Sequence, residues 1–132
     1  QTVTVFTGDA PTQFISVYGH VLKAQQMAIA ALAGGLPANE IDRIAREHLD
    51  GAGLGKYFGH GLGHGVGLEV HEMPNLSPRS QSDLEAGMVV TVEPGVYIAD
   101  SFGVRLEDTL LITDNSCQRI TNIDKDCIRI IK

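Results

Sequence analysis

The chain has 132 residues, 43 % hydrophobic and 20 % charged, with a net charge of −6 and no tryptophan. This is the size and composition of one modest globular domain with a single core. The acidic balance excludes a nucleic-acid role through a basic surface. The longest mostly apolar segment, residues 28–36, is too short to span a bilayer.

Residues 2–7 alternate Thr and Val and end in Gly8-Asp9, which predicts a strand and turn. Thr12 is placed to cap a long helix that stops at Gly34-Gly35. Within it, Val17, Val21 and Ala28, then Tyr18, Leu22, Ile29 and Leu32, form an apolar stripe of helical period, with Gly19 a weak point. Asn39 is expected to cap a second helix that turns Ile41, Ile44, Ala45 and Leu49 inward and ends at Gly51. Residues 72–81, with Pro74 and Pro78, read as a loop. Residues 88–93 are β-rich and stopped by Pro94-Gly95. Residues 102–113 alternate again, Asp114-Asn115 reads as a turn, and residues 128–131 as a last edge strand. The order of elements predicts an α+β fold with helices on one face of a largely antiparallel sheet.

Between the helices and the later strands lies a run with glycine at every second position from Gly59 to Gly67. Three of the five histidines, His60, His64 and His71, fall in or just after it. Such glycine density sacrifices packing and backbone entropy, and is tolerated where backbone must approach something closely. His20 and His48 stand apart and read as ordinary surface or hydrogen-bonded residues.

Two carboxylates complete the pattern. Val89, Thr91 and Glu93 share one strand face; Gly103, Arg105, Glu107, Thr109 and Leu111 share another. The linker between these segments suits an antiparallel pair, which would bring Glu93 near Glu107. Two close carboxylates in a half-buried sheet need a positive partner, either Arg105 or a divalent metal. An oxygen-rich site with one imidazole suits manganese, iron, cobalt or zinc, and two such ions can together activate water for hydrolysis. By spacing alone, a strand glutamate flanked by valines is more often solvent-facing than a ligand, and Arg105 is also consistent with a solvated strand residue.

Four motifs then occur in order: Gly59-His60-Gly61-Leu62-Gly63-His64-Gly65-Val66-Gly67, Val70-His71-Glu72-Met73-Pro74, Val92-Glu93-Pro94-Gly95 and Val104-Arg105-Leu106-Glu107-Asp108. Together they resemble the Xaa-Pro peptidase branch, aminopeptidase P and prolidase, of the pita-bread metallopeptidases. Methionine aminopeptidases and creatinase are further relatives, and some members of this fold bind peptides or proteins without catalysis.

The resemblance implies a C-terminal part of a pita-bread fold and hydrolysis of the bond before proline by two divalent metals, manganese first, with cobalt, zinc or iron as alternatives. It implies that His64 binds metal, that Glu93 binds the same metal and serves as general base, and that Glu107 bridges both ions. It places His60 and His71 along the substrate site, steadying the tetrahedral intermediate, and Arg105 and Tyr97 as residues that orient the carboxylates. Two aspartate ligands of the family fall upstream of Gln1, Val3 stands where arginine is common, and Asp9 is misplaced to substitute. Residues 1–132 are therefore expected to be part of a larger catalytic domain, inactive and metal-poor by themselves. Expected partners are a proline-containing peptide and further copies of the chain, with no membrane or nucleic acid. Cys117 and Cys127 are expected to be reduced in a cytoplasmic protein, with a single disulfide left open.

Overall fold

The computed structural model describes residues 1–125 and 129–131. Strand β1 (Val5–Thr7) leads into α1 (Thr12–Ala31) and α2 (Ala38–Gly51). After a short 3-10 turn at Gly55–Tyr57 come β2 (Gly63–Gly65), β3 (Glu72–Leu76), β4 (Val89–Val92), β5 (Gly95–Ile98), β6 (Phe102–Arg105), β7 (Asp108–Ile112), β8 (Cys117–Arg119) and β9 (Arg129–Ile131). The main sheet has the order β3-β2-β4-β7-β8 and is antiparallel at every step. β5 and β6 form an antiparallel hairpin, and β1 pairs with β9 in parallel. Of the expected last strand, Ile128 lies outside the described residues, as does Cys127; Cys117 is a free thiol.

The apolar stripe of α1 is as expected, with Phe14, Val17, Tyr18, Val21, Ala24 and Ala28 buried. It packs on β4, β5 and β6, while α2 packs on α1 and β3. Gly19 interrupts nothing, because its neighbours are anchored in the core. In α2, Ile41, Ala45 and Leu49 are fully buried and Ile44 half-buried.

Both helix starts differ from expectation. Thr12 and Asn39 lie within the helices, and neither caps by its side chain; Pro11 and Pro37 occupy the positions before them, at φ −63°. Proline's ring presets that angle, so each chain enters its helix without a side-chain acceptor.

Two strand assignments also change. Residues 72–76 form β3 where a loop was expected; β3 lies at the sheet's edge, where Pro74 costs no ladder bond. The single strand expected over 102–113 divides into β6 and β7, and it is β7 that pairs with β4, from Val89↔Leu111 to Val92↔Asp108. Alternation survives the break: Val104, Leu106, Asp108, Leu110 and Ile112 are buried, whereas Arg105 and Glu107 lie on the more open face.

Candidate metallopeptidase site

The glycine run brings its histidines to the sheet by close backbone approach. A Cβ on Gly63 would stand 1.9 Å from the Thr91 carbonyl oxygen, and one on Gly65 2.3 Å from that of Met73. Only glycine lets β2 sit this tightly between β3 and β4. Helix α2 holds the approach to β2 through an i,i+4 pair. Arg46 donates to Asp42 at 2.8 and 2.9 Å, to the Phe58 carbonyl at 3.0 Å and to the His60 carbonyl at 2.9 Å. The buried Asp42 also accepts from the Leu62 amide at 3.0 Å. The sequence reading did not single out this pair, although its spacing on one helix face was visible.

Both histidines of the run are locked by the glycine that follows them. His60 Nδ1 lies 2.7 Å from the Gly61 carbonyl oxygen, and His64 Nδ1 lies 2.9 Å from that of Gly65. A carbonyl can only accept, so Nδ1 carries the proton in each ring and Nε2 of the neutral ring presents a lone pair. His60 Nε2 accepts from the Tyr97 hydroxyl at 3.3 Å. His64 Nε2 faces Glu93 Oε1 at 3.1 Å. Two acceptors point at each other there unless a proton or a metal cation joins them.

Glu93 leaves the end of β4 toward this point. Its Oε1 accepts from the buried Thr91 hydroxyl at 3.0 Å, and that hydroxyl accepts from the His64 amide at 3.1 Å. Thr91 thus ties the histidine and the carboxylate together; its alternation with Glu93 was read, but not this role. Arg105 Nε stands 4.0 Å from Glu93 Oε2, and Arg105 Nη2 donates to the Thr2 hydroxyl at 3.4 Å. That hydroxyl donates in turn to Glu107 Oε2. Glu107 is thereby linked to Glu93 through Arg105 and Thr2.

A pocket of about 480 Å³ opens over this arrangement, lined by His60, His64, His71, Asn75, Ser77, Glu93 and Arg105, with Gly61 and Gly63. The His71 ring packs 4.2 Å from the His64 ring. Five of the residues marked from the sequence therefore converge. Tyr97 reaches the site through His60, and Glu107 is turned to Thr2 outside the pocket lining. Among the described residues no group of three His, Cys, Asp or Glu side chains is placed to hold a metal ion. The donor chemistry fits a divalent cation at the His64–Glu93 pair, which supplies an imidazole and a carboxylate aimed at one point.

Residues 1–114 match metallopeptidase family M24. The chain belongs to that family. This M24 chain is 46 % identical over 127 residues to an uncharacterised peptidase of Bacillus subtilis, and 45 % identical over 127 residues to a Xaa-Pro dipeptidase of Pyrococcus furiosus. Each comparison covers 96 % of this chain and 36 % of the relative. Among solved structures, it superposes on a prolidase from Pyrococcus horikoshii with a TM-score of 0.93 at 44 % identity, covering 96 % of this chain and 36 % of the other. On a Xaa-Pro dipeptidase from Bacillus anthracis the TM-score is 0.95 at 40 % identity, covering 98 % and 36 %. The fold is thus the α+β pita-bread architecture of the prolidases. The M24 chain spans about a third of the length of the relatives it matches.

Proposed function

We propose that the protein containing this chain hydrolyses the peptide bond before proline in peptides, with two divalent metal ions, manganese first. The observation that carries this reading is His64 Nε2 facing Glu93 Oε1 at 3.1 Å while Nδ1 is tied to Gly65. In the whole protein, His64 and Glu93 would hold one ion, and Glu107, released from Thr2, would bridge to a second. The ions would supply Lewis acidity toward water and the substrate carbonyl.

The remaining work falls to side chains around the pocket. Thr91 fixes Glu93 Oε1 toward His64, and the other carboxylate oxygen, 4.0 Å from Arg105 Nε, is the one free to take a proton from the attacking water. His71 and His60 flank the space for the substrate carbonyl, with Tyr97 holding the His60 ring. A larger catalytic domain would complete the ligand set, so this chain by itself is expected to be inactive and to take up metal weakly. The reading assigns the protein to the cytoplasm, where the Cys117 thiol stays reduced. No helix among the described residues is long and apolar enough to cross a membrane.

The test is an assay of the full-length protein with Mn²⁺ on Xaa-Pro peptides. Cleavage that stops on adding a chelator and disappears in Glu93→Gln is expected; no chelator-sensitive cleavage would end the proposal. The engagement of Glu107 by Thr2 favours, as a second reading, a peptide-binding module without catalysis. Peptide binding that persists unchanged in chelator, with no turnover, would select it.

A further inference from the structure

Gln25 is a polar residue on an otherwise apolar helix face, 1 % exposed among Val21, Ala24 and Ala28. Its Nε2 donates to two backbone carbonyls, Val92 at 3.2 Å and Leu106 at 3.1 Å. Because both neighbours are acceptors, the nitrogen must face them, and both of its hydrogens are used. Val92 and Leu106 immediately precede Glu93 and Glu107.

The bonds fall where the pairing between these two chains is interrupted. The β4–β7 ladder ends at Val92↔Asp108 and the same two chains pair again from Gly95↔Arg105 in the β5–β6 hairpin, with the Leu106 N–H donating to the Pro94 carbonyl at 3.4 Å between them. Glu93 N–H donates to the Leu62 carbonyl at 2.7 Å and Glu107 N–H to the Thr2 carbonyl at 2.9 Å. Across this break in the ladder, one nitrogen holds two carbonyl oxygens. Hydrogen-bond lengths and angles restrict such a pair to about 5 Å from each other. An apolar side chain of equal volume would fill the same space without imposing a separation, and would remove both bonds.

We infer that Gln25 is a positioning residue: one buried amide on α1 that sets the spacing of the backbone segments carrying Glu93 and Glu107. The geometric part stands on the hydrogen bonds; its consequence for metal binding rests on the function proposed above.

The experiment compares Gln25→Met with Val21→Ala, which removes buried volume from the same helix face without touching either carbonyl, in the full-length protein. Gln25→Asn, which keeps the amide but shortens its reach, is a milder variant expected to move in the same direction. Amide hydrogen exchange at Glu93 and Glu107, corrected for each variant's global stability, should be faster by about tenfold or more in Gln25→Met than in Val21→Ala. Mn²⁺ affinity should fall by about 10- to 100-fold in Gln25→Met and stay within about twofold in Val21→Ala. Xaa-Pro cleavage should lose kcat with little change in KM. Equal exchange at both amides in the two variants overturns the inference. Wild-type protein that neither binds Mn²⁺ nor cleaves, with the exchange difference intact, overturns the proposed function and leaves the positioning role established.

Discussion

At the scale of single residues, Thr91 ties the histidine strand to the carboxylate beneath the pocket. It is 3 % exposed, accepts from the His64 amide and donates to Glu93. Thr91→Val keeps the shape but removes the partner of a half-buried N–H and frees a carboxylate oxygen. Urea denaturation should show a loss of about 1–3 kcal/mol, with Thr91→Ser close to wild type. Equal stability in Thr91→Val and wild type would mean that water replaces the hydroxyl. The motif residues His60, His64, His71, Glu93 and Arg105 were legible because their types and order carry chemistry. Thr91, Thr2 and the bonds of the Asp42–Arg46 pair to Phe58, His60 and Leu62 were not, because each acts through a partner that only folding brings near. Glu107 shows the same limit: its strand face was readable from alternation, but its bond to Thr2 spans nearly the whole chain.

Between elements, the packing of α1 on α2 contains a pH-sensitive contact. The His20 and His48 rings lie 5.5 Å apart, and the buried His48 Nε2 has no hydrogen-bond partner. Burial, then the neighbouring His20 and Lys23, lowers the His48 pKa below its ordinary value. The folded state therefore binds fewer protons than the unfolded chain just below the unfolded value of about 6.5. This contribution to stability is whole above that pH and is lost as pH falls toward the lowered folded value. Thermal unfolding at about pH 7.5 and about pH 5.5 should show wild type losing more stability on acidification than His48→Gln. An identical loss in both would place the acid sensitivity elsewhere. Neither histidine was distinguished in the sequence, since nothing local announces that two helices will bring them together. The strands show what local pattern can and cannot do. Alternation predicted the faces of β4, β6 and β7 correctly, but the division between β6 and β7 follows from long-range bonds to Gln25 and Thr2. Pro74 pointed to a loop because an edge position cannot be recognised without its neighbours.

For the molecule as a whole, the distribution of apolar surface argues for self-association. Leu68 is fully exposed, Val70 is 71 % exposed and Met73 67 %, all in or beside β3 at the edge of the main sheet. An edge strand with unpaired backbone groups and adjacent apolar side chains is a template for another chain. Polar neighbours blunt it only in part: the Glu72 carboxylate is engaged by the Glu69 amide at 2.8 Å. Ile120 and Ile123 add exposed apolar area beyond β8, at the opposite edge. Light scattering on this chain should therefore give a mass above that of one copy. Val70→Glu together with Leu68→Glu should shift it toward the monomer, since both place charge on the apolar edge and neither side chain is packed in the core. A wild-type chain that stays monomeric across a concentration series would rule out association through this face. Oligomers unaffected by the double substitution would move the contact to the β8 edge, where Ile120→Glu becomes the variant that separates the copies.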